Sequence, residues 1–266
     1  MIRVCVAGAT GWVGRALVPA LVAAPDFELV GAVARSDAGR MLADVLGRPE
    51  SSVRISRSVA EALDTPTDVL IDYTSADAVR HNVLEAISRG VHCVIGSSGL
   101  TDADFRELDT AAASRNVGVL AAGNFAISAV LLQHFAVLAA RYMTSWEIVD
   151  IASAAKPDAP SGTARELAFH LGAVGRPYSP VPVAETRGAP EARGTTLSGT
   201  QVHSIRLPGY VIGIEALFGC EGETLTLRAA AGGSPAPYVA GTLLAARRVH
   251  ERAGVRRGLA SLLDLP

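Results

Sequence analysis

Lysine is almost absent from this chain of 266 residues: Lys156 is the only lysine among 24 basic residues, and the others are all arginine. Charge is sparse as well, because Asp, Glu, Lys and Arg make up 19% of the chain and leave a formal net charge of −2. Nucleic acids and anionic membrane surfaces attract proteins with a marked excess of basic charge. We therefore expect neither of these partners.

Cysteine is also rare. Cys5, Cys93 and Cys220 lie far apart, without a CxxC pair or a cluster of Cys and His. This pattern excludes a disulfide framework and a zinc site, and we expect no metal. The sequence has no charge-free apolar run of about 18 residues, and it begins without the apolar segment of a signal peptide. We expect a soluble, cytoplasmic protein.

Hydrophobic residues are abundant, at 49% of the chain, which is enough for a full core without disulfides. Apolar strand patterns alternate with helical patterns through the first half of the sequence. The strand patterns cover residues 2–8, 27–34, 68–74, 92–98 and 117–123. This order predicts an α/β fold of Rossmann type, with a doubly wound parallel sheet.

The pattern changes after the fifth strand. Strands rich in Val, Ile, Leu and Thr return between residues 199 and 231, joined by hairpin-like turns such as "GCEGE". They predict a second α+β domain with a mostly antiparallel sheet. We assign residues 1–124 and 233–266 to a dinucleotide-binding domain and residues 125–232 to a substrate-binding and oligomerisation domain.

A glycine-rich loop, "GATGWVG", follows the first strand and opens a helix. Glycines permit a tight turn and close approach of the backbone, and the N–H groups at a helix N-terminus bind a pyrophosphate. The spacing departs from G-x-G-x-x-G because Thr10 stands where the second glycine would be. The sequence therefore predicts a dinucleotide site. Its candidate residues here are Gly8, Thr10, Gly11, Trp12, Val13 and Gly14.

The end of the second strand indicates which dinucleotide binds. An acidic residue there is typical of NAD sites, whereas a cation accommodates the 2′-phosphate of NADP. The segment reads "AVARSDAGR", with Arg35 and Ser36 after a neutral alanine. NADPH is therefore favoured, and NADH stays possible because Asp37 could reach a ribose hydroxyl.

The segment around the single lysine, "KPDAPSGT", combines an amine with a Ser-Gly-Thr turn into a helix. Ser161 is the predicted N-cap residue, and Gly162 and Thr163 would complete a pocket for a carboxylate. Lysine differs from arginine in carrying a proton that it can release when it is partly desolvated. Lys156 is thus the candidate catalytic residue, and the predicted substrate is a small carboxylate.

The segment 150–164, "DIASAAKPDAPSGTA", resembles the signature E-x-H-H-x-x-K-x-D-A-P-S-G-T-A of the dihydrodipicolinate reductases. Stretches along nearly the whole chain are similar to other motifs of that family: "VAGATGWVGR", "IDYT", "VIGSSGL", "AAGNFAIS" and "IRLPGYVIGIEALF". The family reduces a cyclic dicarboxylate intermediate of lysine biosynthesis with NAD(P)H. The chain is identified as a divergent member.

The resemblance implies further features of the site and the assembly. Residues at the carboxyl edge of the sheet would line the nicotinamide ribose, and a segment near the end of the first domain would shape the cofactor site. It also implies a homotetramer assembled through the sheet of the second domain. The additional cofactor-binding residues are Thr74, Gly96, Ser97, Ser98, Asn124 and Phe125.

The chain departs from the family signature where chemistry is expected. Ala152 and Ser153 stand where the signature has two histidines, and Asp150 stands where it has glutamate. In the family the first histidine is taken as the proton donor, and the second helps to bind a substrate carboxylate. Glu215 lies at or beside the position of a third family histidine. Loss of a general acid typically lowers a rate ~10²–10⁴-fold, so either Lys156 supplies the proton or the substrate differs.

Three functions are consistent with these residues. We favour a reductase acting on a C=N or conjugated C=C bond of a different cyclic imine or enamine carboxylate, in a specialised pathway. The alternatives are an authentic 4-hydroxy-tetrahydrodipicolinate reductase and a catalytically inactive NADPH-binding protein. Ser153 joins the Ser-Gly-Thr turn as a candidate substrate contact. His203, Tyr210 and Glu215 are candidate replacement acids.

Overall fold

The computed structural model describes residues 1–47, 52–210 and 212–263. The chain forms two compact units: unit 1 contains Met1–Ala126 and Pro235–Pro266, and unit 2 contains Ile127–Ser234. The roles expected for these two parts of the chain, cofactor binding and substrate binding, remain predictions.

The strands and helices are numbered in chain order. The strands are β1 (Ile2–Ala7), β2 (Phe27–Val33), β3 (Ile55–Ser56), β4 (Val69–Asp72), β5 (His92–Ile95), β6 (Gly118–Ala121), β7 (Ser145–Ser153), β8 (Thr195–Leu197), β9 (Thr200–Leu207), β10 (Ile212–Cys220), β11 (Glu223–Ala231) and β12 (Gly254–Arg257). The α-helices are α1 (Gly14–Ala23), α2 (Leu42–Leu46), α3 (Val59–Ala62), α4 (Ala76–Ser88), α5 (Asp102–Ser114), α6 (Ile127–Ala139), α7 (Gly162–Val174) and α8 (Ala236–Arg248).

Unit 1 is built on a seven-stranded sheet in the order β12-β6-β5-β4-β1-β2-β3, and its strand pairs are parallel. Parallel strands need crossover connections, and the helices that provide them cover both faces of the sheet. The central strands are therefore apolar on both sides, and every residue of β4 and β6 is buried. The predicted doubly wound parallel sheet is confirmed.

Close backbone contacts explain two glycines at the β1–α1 turn. Gly8 has φ +84°, and a Cβ atom there would lie 2.2 Å from the carbonyl oxygen of Tyr73. A Cβ atom on Gly14 would lie 2.2 Å from the carbonyl oxygen of Gly8. Only glycine lets β1, α1 and the end of β4 approach this closely.

Unit 2 contains a five-stranded sheet in the order β11-β10-β7-β9-β8. The β7–β9 pair is parallel and the other pairs are antiparallel, so the predicted mostly antiparallel sheet is confirmed. Side chains of α6 and α7 pack with Trp146 and Ile148 of β7 in one apolar core. The indole Nε1 of Trp146 donates to Thr200 Oγ1 at 2.9 Å, which satisfies a donor that burial removes from water.

Two strands of unit 1 have no counterpart in the sequence analysis. β3 contains only two residues, and β12 reads "GVRR", which lacks an apolar run. Both join the sheet at its edges, where pairing with a neighbour replaces the burial that makes a strand recognisable. Among the described residues, no helix combines the length and the apolar character needed to cross a bilayer.

Candidate active site

A cavity of about 530 Å³ opens at the carboxyl ends of β1, β2 and β4 in unit 1. This is the edge at which open α/β sheets bind their ligands. The cavity is lined by Gly8, Thr10, Gly11, Val33, Ala34, Arg35, Ser36, Arg57, Ser58, Thr74, Ser75, Ala78 and Asn82. Its size and its basic, hydroxyl-rich lining suit the phosphorylated part of a dinucleotide.

The lining unites three stretches that the sequence analysis treats separately: the glycine loop, the Arg35–Ser36 pair and Thr74. It also contains residues that the sequence analysis does not include. These are Arg57, Ser58, Ser75, Ala78 and Asn82. Arg57 and Ser58 follow the unpredicted strand β3, so no local pattern marks them as part of a site.

The Asp37 carboxylate accepts hydrogen bonds from neighbouring residues of the protein. A hydrogen bond from Thr10, followed by those from Ser36 and Arg40, holds the pKa of Asp37 below its ordinary value. The Ser36 hydroxyl donates at 3.2 Å and the Arg40 guanidinium at 3.0 Å. A carboxylate committed to these donors is less available for ribose hydroxyls, which weakens the case for NADH.

A buried carboxylate organises the carboxyl edge of β4 and β5. Asp72 is fully buried. It accepts hydrogen bonds from the backbone N–H of Thr74 at 3.0 Å, the Thr74 hydroxyl at 2.7 Å, the Ser97 hydroxyl at 2.6 Å and the Asn82 amide at 2.8 Å. Because these donors satisfy the carboxylate, it stays in the interior, and it fixes the rotamers of Thr74 and Ser97.

Tyr73 packs against two other predicted cofactor residues, Gly96 and Phe125. Its hydroxyl hydrogen-bonds Thr242 at 2.7 Å, and burial raises the pKa of that hydroxyl. A Cβ atom on Gly96 would lie 2.1 Å from the Tyr73 ring, so this position needs glycine. Phe125 is buried with its ring edge-on to Tyr73, at 5.9 Å between centroids. Gly96 and Phe125 thus have packing roles in unit 1.

The remaining predicted cofactor residues lie outside the cavity lining. Trp12 is 53% exposed and contacts Tyr238 edge-on, with the ring centroids 5.7 Å apart. Val13 is the N-cap residue of α1, where Gly14 begins the helix. Ser98 is exposed, and the side-chain oxygen of Asn124 accepts from the backbone N–H of Ala126 at 2.8 Å.

In unit 2 a buried ion pair holds the loop before α7. Asp150 is 1% exposed, and its carboxylate accepts from Arg206 at 2.7 Å, the Ser161 backbone N–H at 2.8 Å and the Ser204 hydroxyl at 3.2 Å. Arg206 also donates to the carbonyl of Asp158 at 2.7 Å. Burial alone would raise the pKa of Asp150, but the hydrogen bonds from Arg206 and Ser161 outweigh it and hold the pKa below its ordinary value.

The single lysine lies in this loop. The Lys156 ammonium is 2.9 Å from the Asp158 carboxylate, and the lysine side chain is 32% exposed. This contact holds the pKa of Asp158 below its ordinary value. Ser153 shapes the turn, because its carbonyl accepts from the Lys156 N–H at 3.0 Å and its hydroxyl from the Ala155 N–H at 3.3 Å.

The Ser-Gly-Thr turn begins α7 as the sequence predicts. Ser161 is the N-cap residue, and its hydroxyl accepts from the Ala164 N–H at 3.3 Å. A Cβ atom on Gly162 would have open space around it, with only the Arg165 guanidinium at 3.9 Å. Gly162, at the first turn of α7, is therefore exposed and without crowding.

Both parts of the chain match models of one family. Residues 2–125 match the model described as "Dihydrodipicolinate reductase, N-terminus", and residues 128–264 match "Dihydrodipicolinate reductase, C-terminus". The chain belongs to the dihydrodipicolinate reductase family.

Individual relatives agree with the family models. The chain is 39% identical to a 4-hydroxy-tetrahydrodipicolinate reductase of Moorella thermoacetica, over 99% of this chain and 98% of the relative. It is 40% identical to one from Mycobacterium sp. strain KMS, over 99% of both chains. A dipicolinate-bound dihydrodipicolinate reductase from Paenisporosarcina sp. TG-14 has the same fold, with TM-score 0.86 and 31% identity over 99% of this chain and 100% of that one.

Membership of the dihydrodipicolinate reductase family confirms three predictions. The resemblance inferred from the motifs is correct, and so are the enzyme class, an NAD(P)H-dependent oxidoreductase, and the nicotinamide cofactor. The individual site residues remain predictions, as does the choice between NADPH and NADH.

Two of the side chains proposed as replacement proton donors, His203 and Glu215, contact charged side chains of the protein. His203 contacts the Glu147 carboxylate at 2.7 Å, and the Glu215 carboxylate is 3.2 Å from Arg228. Burial alone would raise the pKa of Glu147, but hydrogen bonds from Arg193 and His203 hold it below its ordinary value. These contacts favour structural roles in the sheet for His203 and Glu215.

We predict that Asp72 positions the cofactor residues of β4 and β5. Asp72→Ala removes the acceptor for Thr74, Ser97 and Asn82, so Thr74 and Ser97 should lose their fixed orientation. We expect the Kd of the nicotinamide cofactor to rise about 10-fold, as for the loss of one hydrogen bond of about 1.5 kcal/mol to the cofactor. Asp72→Asn keeps one acceptor oxygen and should have a smaller effect. Asp77→Ala, which removes an exposed carboxylate from the same region, is the control, and an equal effect there would contradict the prediction.

We predict that Asp150 stabilises unit 2. Asp150→Asn leaves Arg206 without a charged partner, which should lower the free energy of unfolding by about 3 kcal/mol. Urea titrations in a Trp12→Phe background measure this change, because Trp146, in unit 2, is then the only tryptophan. The control Glu215→Gln breaks a more exposed pair and should cost at most about 1 kcal/mol.

The loss of unfolding free energy caused by Asp150→Asn should also depend on pH. Because the pKa of folded Asp150 lies below that of the unfolded chain, about 3.9, the stabilisation is complete above that pH and is lost as the pH falls through the folded pKa. The difference between wild type and Asp150→Asn should therefore shrink in acid. A difference that stays constant as the pH falls would contradict the assignment.

Proposed function

We propose that this chain is an NADPH-dependent 4-hydroxy-tetrahydrodipicolinate reductase. The observation that carries the proposal is the 39–40% identity, over 99% of the chain, to relatives with that activity in their names. Those relatives outweigh the sequence-based preference for a different substrate, because that preference depends on a few positions, chiefly Ala152 and Ser153.

Unit 1 supplies the cofactor residues in this proposal. NADPH, when bound, provides the hydride. The backbone of the glycine loop binds the pyrophosphate at the start of α1, and Arg35 and Ser36 bind the 2′-phosphate. Thr74 and Ser97, held by Asp72, orient the ribose next to the nicotinamide.

Unit 2 supplies the substrate residues. A substrate carboxylate binds at the first turn of α7, to the accessible N–H of Gly162 and the hydroxyl of Thr163. Asp150 and Arg206 keep this turn in place, since both contact the loop that precedes it. Lys156 holds a positive charge beside the anion site and supplies a proton to the reduced substrate. The Asp158 carboxylate, 2.9 Å from the ammonium, helps to keep the lysine side chain in place.

A second candidate function follows from the missing imidazoles. Ala152 is buried and has no polar side chain, while the Ser153 hydroxyl is used within its own turn. A substrate with one carboxylate fewer, whose imine nitrogen arrives already protonated, would not need the acid that the family signature supplies. This observation favours a cyclic imine or enamine monocarboxylate as the alternative substrate.

We also propose that the active form is a homo-oligomer, and specifically a tetramer. Alternation along the strands directs Trp146 and Ile148 to the helices of unit 2. Val149, the residue after Ile148, and Leu217 on β10 therefore lie on the opposite face of the sheet. Sedimentation or light scattering of the purified protein tests this assembly.

Turnover of the family substrate tests the proposed function. Purified protein, given NADPH and freshly prepared 4-hydroxy-tetrahydrodipicolinate, should oxidise NADPH with a kcat of about 1 s⁻¹ or more, as is usual for enzymes. The loss of NADPH absorbance measures this rate. No turnover of this compound, together with turnover of a cyclic imine monocarboxylate, would reject the main proposal and establish the second candidate.

Two substitutions of Lys156 test its role. Lys156→Ala should lower kcat by ~10²–10⁴-fold, because it removes the proton donor. Lys156→Arg keeps a cation for Asp158, yet guanidinium does not release its proton, so it should be almost as slow as the alanine variant. The Kd of NADPH is the control and should not change. Near-normal kcat in Lys156→Arg would show that the charge, and not the proton, is required.

A further inference from the structure

We propose that Arg57 is a second specificity-determining cation of the cofactor site and that, with Arg35, it binds the 2′-phosphate of NADPH. This inference deepens the proposed function and rests on its choice of NADPH. It concerns a residue that no motif in the sequence indicates.

Strand pairing places Arg57 in the cavity. β2 and β3 are parallel, with Ala32 opposite Ile55 and Val33 opposite Ser56. The N–H of Ala34 continues the pairing by donating to the carbonyl of Ser56 at 3.2 Å. The residues that follow the two strands therefore emerge side by side, and Arg35 and Arg57 both line the cavity of about 530 Å³.

The backbone of Arg57 is held in position while its guanidinium stays available. The Arg57 N–H donates to the Glu61 carboxylate at 2.9 Å, and the Ser58 hydroxyl accepts from the Glu61 N–H at 3.2 Å. Glu61 thus binds the main chain at the start of α3. In the described part of the chain, neither Arg57 nor Arg35 forms an ion pair with a carboxylate.

The charge of the cavity lining points to a phosphate. Among the residues that the structure describes, the lining contains two arginines and no acidic residue. Asp37, the carboxylate nearest in sequence to Arg35, is engaged by Thr10, Ser36 and Arg40. A phosphate monoester carries about two negative charges at neutral pH, and guanidinium groups bind it through paired N–H donors. Two guanidinium groups without a described carboxylate partner therefore suit the 2′-phosphate, the group that NADPH has and NADH lacks.

Binding of the two dinucleotides in the absence of substrate tests the proposal. We expect wild-type protein to bind NADPH more tightly than NADH. Arg57→Ala should raise the Kd of NADPH about 10-fold, equivalent to one lost charged hydrogen-bond contact, and change the Kd of NADH less than about twofold. Arg57→Lys should restore part of the NADPH affinity. The control Arg106→Ala removes an exposed cation on α5, outside the cavity, and should change neither Kd.

Each contrary result contradicts a different part of the proposal. Equal effects of Arg57→Ala on both dinucleotides, or no effect on either, would overturn the assignment of Arg57 and leave the proposed function intact. Tighter binding of NADH than NADPH by the wild type would overturn the cofactor preference itself. Absence of turnover with the family substrate would not affect these equilibrium measurements. Thermal unfolding of each variant verifies that it is folded.

Discussion

Asp72 in unit 1 and Asp150 in unit 2 are carboxylates that the fold removes from water, and each is stabilised because several donors converge on it. A buried carboxylate without such partners would be strongly destabilising, so its donors must hold their positions. In unit 1 those donors include Thr74 and Ser97, which are proposed to orient the cofactor. In unit 2 they include Arg206 and the N–H of Ser161, which hold the loop that carries Lys156. The geometry of the Thr74–Ser97 cluster in unit 1 and of the Lys156 loop in unit 2 therefore each depends on satisfying one buried carboxylate.

The basic side chains differ in whether a carboxylate pairs with them. Many of the arginines form ion pairs with carboxylates, including Arg3 with Asp68 and Arg247 with Asp26. Guanidinium suits such pairs because it stays charged and binds carboxylates through two donors. The cavity arginines, Arg35 and Arg57, differ because no described carboxylate pairs with them. Lys156 differs in chemistry, since an ammonium can give up its proton.

Much of the fold and part of the candidate site were predictable from local patterns. Alternation of strands and helices predicts the parallel sheet because crossover connections need helices, and Ser161 was identified as an N-cap residue from its position before a helix. The glycine loop was recognisable because close backbone contacts exclude side chains at Gly8 and Gly14. Strands β3 and β12 were missed, since strands this short or this polar are stabilised by pairing at the sheet edge. Arg57 was missed because it directly follows β3, which no local pattern indicates.

The sequence by itself determined the family, the class of fold and the class of enzyme. These properties depend on residue type and local spacing, which a linear pattern records. Only the tertiary structure decided that Asp72 collects donors from Thr74, Asn82 and Ser97, that Asp150 pairs with Arg206, and that Arg57 lines a cavity with Arg35. Apart from Asp72 with Thr74, those contacts join residues of different segments, so they arise from strand register and burial.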